Sequence, residues 1–339
     1  MSWKNQLRSD SLLWLLESEN PGVRYLALRD LLDLSPDDKK IKSGRRSAHK
    51  EGPIAVILSK MEQDGYWVKA GPGYNPKYRS TVWALILLAQ LGASIDEDKR
   101  IELACSYLLD HMAEGGQFTT TTSGAPSGTV DCLQGNLLWS IMELGHDDDP
   151  RLDKAYEWMA RTVTGDGIAP MEDKDSPVRY YAYKVGPSFA CGINNRLPCA
   201  WGGVKVILAL SKVPEQKRTP LIKKAIRQGL DFFFGIDPST AKYPTRDGGK
   251  PNRAWWKFGF PMFYVTDLLQ LAEAMVNLGY GKDKRLQSTL EIIREKQNEH
   301  GQWLLEYDYT GKTWLDFGQK GQPNEWVTLR ALCVLKSVN

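Results

Sequence analysis

The residues in this chain best suited to chemistry are an acid and three thiols. Asp131 and Cys132 are adjacent and follow a polar run, Thr119-Thr-Thr-Thr-Ser-Gly-Ala-Pro-Ser-Gly-Thr129, while Cys191 and Cys199 fall in a later loop. A carboxyl group shielded from water stays protonated at neutral pH, so Asp131 could act as a general acid. Cys132, Cys191 and Cys199 with Asp131 could instead hold zinc tetrahedrally. The 191/199 spacing is no C-x-x-C knuckle, however, and Cys is commonly a small buried hydrophobe. Asp267, after the aromatic run Phe260, Phe263 and Tyr264, is a second candidate acid. Aromatic rings both stabilise cations and line apolar pockets. Tyr78, Trp139, Tyr181, Trp201, Trp255, Trp256, Phe260, Tyr264 and Trp326 are therefore candidate ligand contacts, together with Arg253.

These groups must be positioned by helices. A unit of about fifty residues recurs, seen in Asp98-Lys-Arg100, Asp149-Pro-Arg151 and Asp283-Lys-Arg285, each following an apolar segment that ends at Gly92, Gly145 or Gly279. Asp caps a helix N-terminus and Gly suits the left-handed C-terminal cap. The periodicity predicts twelve helices in six pairs. The first members lie at 10–18, 53–63, 97–112, 149–163, 218–234 and 283–298. The second, more apolar members lie at 22–34, 78–91, 129–144, 199–211, 260–278 and 324–337. Stacked hairpins bury one another's faces, and Tyr25-Leu-Ala-Leu-Arg29 matches Trp326-Val-Thr-Leu-Arg330, as the ends of a closed ring would. The expected fold is all-α, an (α/α)6 toroid of six inner and six outer helices forming one domain over 1–339, with an open solenoid as the competitor. From the second pair on, long links precede the inner helices and should gather on one rim, where a site is expected. The acidic run Asp147-Asp-Asp-Pro-Arg-Leu-Asp153 falls at a repeated outer-helix start and reads as capping.

Composition narrows the function. Apolar content of 42% and charged content of 25% fit a soluble globular protein. A net charge of +3 without a basic tract argues against nucleic acid. No apolar run reaches membrane-spanning length, and the N-terminus lacks a secretory segment, so a cytoplasmic location is expected. Five cysteines do not suggest a disulfide framework. The four histidines, His49, His111, His146 and His300, lie outside the apolar helices.

Four long links open with a Gly turn: Asp64-Gly-Tyr-Trp67, Gly115-Gly-Gln-Phe118, Gly165-Asp-Gly167 and His300-Gly-Gln-Trp303. Gln297-Asn-Glu-His-Gly301-Gln-Trp303 carries the Gln-x-x-x-Gly-x-Trp core of the "QW" repeat. The chain thereby resembles the α/α-toroid superfamily of squalene cyclases and protein prenyltransferase β subunits, within an uncharacterised bacterial cyclase-like branch. Met61 and Met112 stand where other copies would carry Gln, and no D-x-D-D acid motif is present. The resemblance implies a central aromatic cavity binding an apolar, isoprenoid-like ligand. In it Asp131 would be the acid, Trp255, Trp256 and Tyr264 the cation-stabilising wall, and Arg253 a diphosphate contact. Resemblance to prenyltransferases also implies a zinc held by Asp, Cys and His, although their Asp and Cys are separated by one residue and Asp131 and Cys132 are adjacent. No cofactor is otherwise required, and no partner protein is indicated. Two alternatives stay open. One is an (α/α)6 carbohydrate-active enzyme pairing Asp131 with Glu172, Asp173 or Asp175; the other is a non-catalytic binding scaffold.

Overall fold

The computed structural model describes residues 3–123, 128–169, 173, 175 and 185–338. Among them are thirteen α-helices: α1 (Leu12–Leu16), α2 (Pro21–Leu26), α3 (Lys39–Lys50), α4 (Pro53–Leu58), α5 (Thr81–Gln90), α6 (Lys99–Asp110), α7 (Asp131–Glu143), α8 (Arg151–Thr164), α9 (Ala200–Ser211), α10 (Pro220–Phe234), α11 (Leu268–Asn277), α12 (Gln287–Glu295) and α13 (Glu325–Ser337). No named strand occurs among the described residues, only isolated bridges. The fold is all-α, as expected.

The repeat is written in hydrogen bonds. Asp98, Asp149 and Asp283 each accept from the backbone N–H two residues on, at 3.0, 2.9 and 2.9 Å, and each also holds that residue's guanidinium Nε at 3.0, 2.9 and 3.0 Å. Gly92, Gly145 and Gly279 take φ of 78°, 86° and 87°, the left-handed turn that ends an inner helix. Trp67 and Trp303 make the same joint. Their indole N–H groups donate to the carbonyls of Ile57 and Ile293 at 2.8 and 2.7 Å, and their backbone N–H groups to the hydroxyls of Thr81 and Thr328 at 3.1 and 3.0 Å.

The inner set is α2, α5, α7, α9, α11 and α13. Contacts run from α5 to α7, α9, α11, α13 and on to α2. Gly22 of α2 lies between Trp326 of α13 and the Leu91 carbonyl at the end of α5: a Cβ there would meet them at 3.2 and 3.5 Å. The N-terminal segment also docks on the last repeat, where the Gln297 side chain bonds the Arg8 N–H at 2.9 Å and the Gln6 carbonyl at 3.1 Å. Inner helices are buried almost all round, for example Thr81 through Ala89 of α5. The outer α6, α8, α10 and α12 bury only one face.

Two expectations need correction. The stretch 39–50 is a helix, α3, capped by Asp38, whose carboxylate accepts from Lys40 N–H at 2.7 Å; its apolar stripe is so narrow that only Ile41, Ala48 and His49 are buried. Residues 260–267 do not open the fifth inner helix. Pro261 lacks an N–H and keeps Phe260 out of helical backbone, so α11 begins only after Asp267, its N-cap.

Candidate functional site

The segment before α11 plugs the middle of the molecule. Met262 exchanges both backbone bonds with the Gln90 side chain of α5, at 2.7 Å from its N–H and 2.8 Å to its carbonyl. The Phe263 carbonyl accepts from Asn136 of α7 at 2.9 Å. Phe260 stacks on Trp326, centroids 4.7 Å apart and planes 7° from parallel. On the side of the long links, Trp83 packs edge to face with Phe263 and Tyr264, as does Phe263 with Tyr309, and Tyr78 lies tilted against Trp83, Phe263 and Tyr309. The Tyr264 and Tyr74 hydroxyls bond each other, and the Lys77 ammonium lies 5.5 and 5.7 Å from these two ring centroids, respectively.

Beneath the plug is a cavity of about 500 Å³, walled by residues of all six inner helices or their caps: Arg29, Gln90, Trp139, Lys212, Glu273 and Arg330 among them, with Phe260 and Met262 as floor. Its mouth is ringed by Asp33, Glu143, Asn277 and Ser337, at the C-terminal ends of those helices. The central cavity therefore opens on the short-link rim, opposite to the expected mouth. Of the candidate contacts, Trp139 and Phe260 line it. Asp267 lies behind its wall. It is 1% exposed and holds the Arg330 guanidinium through two bonds of 3.0 Å, while also accepting from the N–H groups of Gln270 at 2.7 Å and Gly259 at 3.1 Å. A carboxylate with four donors is an anchor for a cation, not a free acid.

Asp131 sits at the other end of α7, about 18 Å from Glu143 along the helix. It is 5% exposed, and burial holds its carboxyl group protonated well above the ordinary carboxylate range. The Thr162 hydroxyl donates to it at 3.4 Å. Gly202 makes the room: a Cβ there would come 3.2 Å from Asp131 Cβ and 4.0 Å from Cys199 Sγ. Cys199 hydrogen-bonds Cys191, whose thiol is lowered to about 6 by that bond and by backbone N–H groups of Asn194 and Ile193, against an opposing effect of burial. Burial, with Cys191 next, pushes Cys132 up to about 12. The structure thus gathers Asp131, Cys132, Cys191 and Cys199 into one neighbourhood, yet among the described residues no three His, Cys, Asp or Glu side chains are arranged to hold a metal.

A second hollow, about 440 Å³, lies on the long-link side between Cys191, Cys199, Trp201, Tyr243, Arg246 and Trp255. Trp255 and Trp256 pin their own loop, donating indole N–H bonds to the carbonyls of Pro238 and Ser239 at 3.0 and 2.8 Å. Arg253 is exposed beside them. None of these three reaches the central aromatic cluster containing Tyr78 and Tyr264. Asp173 and Asp175 are both exposed; Tyr181 and Glu172 lie outside the described residues.

Sequence reading missed Glu273, Arg330, Lys205 and Gln90. Their signal was present: each is a polar side chain inside an otherwise apolar inner helix. Arg29 and Arg330, already matched as ends of the repeat, both face the same cavity.

No protein-family model and no curated protein matches this chain. Among solved structures, a protein from Actinoplanes is 13% identical, with 87% of this chain set against 97% of that one at a TM-score of 0.31. Type II terpene cyclase MstE from Scytonema without ligand is 12% identical over 87% of this chain and 96% of that one, TM-score 0.32. A variant of MstE in complex with its substrate geranylgeranyl dihydroxybenzoate is 10% identical over 87% and 97%, TM-score 0.32. Superpositions this loose carry no argument about chemistry, which the site's own geometry has to supply.

Proposed function

We propose that this chain is a terpenoid-cyclase-like enzyme in which Asp131 donates a proton to an apolar, isoprenoid-type substrate. The observation that carries the reading is the setting of Asp131: a carboxyl group buried at the start of an inner helix, where burial raises its pKa well above the ordinary carboxylate range and so favours the protonated, proton-donating form. Such a group can protonate a carbon–carbon double bond, leaving a carboxylate that regains the proton when the final carbocation loses one. Burial raises the Tyr264 and Tyr74 hydroxyls, and Cys132, next along α7, is near enough to both to add a smaller effect in the same direction. The residue that follows the acid on α7 thus neighbours the tyrosine-rich rim. That rim already holds a cation, the Lys77 ammonium over Tyr74 and Tyr264, so its rings suit positive charge.

The test is mass spectrometry of lipophilic material carried through purification, and of products formed from squalene and polyprenyl diphosphates, for wild type and Asp131→Asn. A bound isoprenoid in both, with product only from wild type, is the expected result. Absence of bound lipid and of turnover in the wild type overturns the reading. One observation favours a non-catalytic scaffold instead: the chain's own Phe260, Met262 and Phe263 occupy the centre where a long substrate would lie. A lipid that is bound by both proteins and converted by neither would select it.

A further inference from the structure

We infer that the cavity enclosed by the C-terminal halves of the six inner helices is a binding site for a small organic cation, an amine carrying a short apolar stem. It lies at the end of the molecule remote from Asp131 and stands independently of the chemistry proposed there.

The charges around the cavity are matched except for one. Arg29 pairs with Asp30, Lys212 with Glu143, Lys336 with Asp33, and Arg330 with Asp267. Glu273, in the middle of α11 and on the same wall, makes no hydrogen bond or ion pair with any described residue. Arg330 and Lys212 are near enough to act on it electrostatically, but both are committed to other carboxylates. Inner helices also deliver their C-terminal ends to this mouth, and each such end carries partial negative charge from unbonded carbonyls. The Asn136 side chain gives one of its two N–H groups to Phe263, and its amide oxygen is a further acceptor. An ammonium group entering here meets acceptors on several sides, whereas a carboxylate or phosphate meets the wrong ends of the helices. Apolar material is provided by Phe260, Met262, Val276 and Leu329, enough to cover a short alkyl stem. Trp139 adds an indole face suited to a cation and an N–H that has no partner among the described residues.

Burial of Glu273 raises its pKa, the mark of a carboxylate short of a counter-charge, which a bound amine would supply.

Three probes of equal stem length separate the possibilities: hexylamine, 1-hexanol and hexanoate, each measured by thermal shift and calorimetry on the full chain. Hexylamine alone is expected to bind and raise Tm. Glu273→Gln should weaken it about tenfold or more, as expected when a buried ion pair loses one charge. Asn277→Trp, at the exposed mouth, should block access without touching the core. Asp131→Asn should leave amine binding unchanged, so this inference and the proposed acid role fail separately. Equal stabilisation by hexanol or hexanoate, or amine binding that survives both Glu273→Gln and Asn277→Trp, overturns it.

Discussion

Gly135 of α7 lies directly against the backbone of Lys205 on α9: a Cβ on Gly135 would come 2.3 Å from the Lys205 carbonyl carbon and 2.4 Å from its oxygen. This contact sets the spacing of the most extensively packed helix pair. Gly135→Ala must push the helices apart, and overpacking of this kind costs about 1–3 kcal/mol. Gly44→Ala is the control, since the nearest atom to its new Cβ would be 3.6 Å away. In the interior of α3 it should stabilise, by up to about 1 kcal/mol. Urea unfolding of the two variants should move in opposite directions; a neutral Gly135→Ala would refute the packing argument.

Lys205 is 1% exposed and bonds Gln270, and burial lowers its pKa to about 7. The unfolded chain, with lysine near its ordinary value of about 10.4, holds that proton to higher pH than the folded one. Stability should therefore rise as pH climbs from about 7 to about 10.4, and this contribution should be flat below pH 7. Lys205→Met is expected to remove that slope and to stabilise the protein below pH 7 by a few kcal/mol. Gln270 keeps the Thr266 hydroxyl, 3.5 Å away, as a donor. Equilibrium unfolding at several pH values checks both statements.

The thiols should differ sharply in reactivity. At pH 7 Cys191, lowered to about 6 by the bond from Cys199, is mostly thiolate, while burial keeps Cys105, Cys132 and Cys333 protonated. Iodoacetamide followed by peptide mapping should label Cys191 first. Cys199→Ala should slow that labelling about tenfold as the thiol returns towards its ordinary value. Simultaneous protection of Cys132, Cys191 and Cys199 by added zinc is the result a metal site would give.

The Asp267–Arg330 pair anchors the cavity wall. Asp267→Ala leaves a buried guanidinium without its counter-charge, removes the α11 cap, and should cost about 3–5 kcal/mol. Asp267→Asn keeps a capping oxygen and should cost less. In a double-mutant cycle with Arg330→Met the losses should be far from additive; additive losses would mean that the two do not act as a unit.

Apart from α3 and the start of α11, the helices and their order were legible in the residues because caps and joints are local. The Asp-x-Arg starts and the Gly-terminated inner helices act within a few residues, and the Trp303 indole beside its Gly301 turn reaches the Ile293 carbonyl ten residues back, so their types declare their roles. Asp131 at the start of an inner helix was legible for the same reason. The position of the cavity was not. It depends on Pro261 holding the Phe260 segment out of helix and into the centre, where it is fixed by Gln90 and Asn136, partners more than a hundred residues away in the chain. It depends equally on Arg29, Glu143, Glu273 and Arg330 meeting from four separate helices. Periodicity tells which face of a helix is buried. Only the assembled tertiary structure decides which buried polar groups meet, because an uncompensated charge becomes visible once every other one has found its partner.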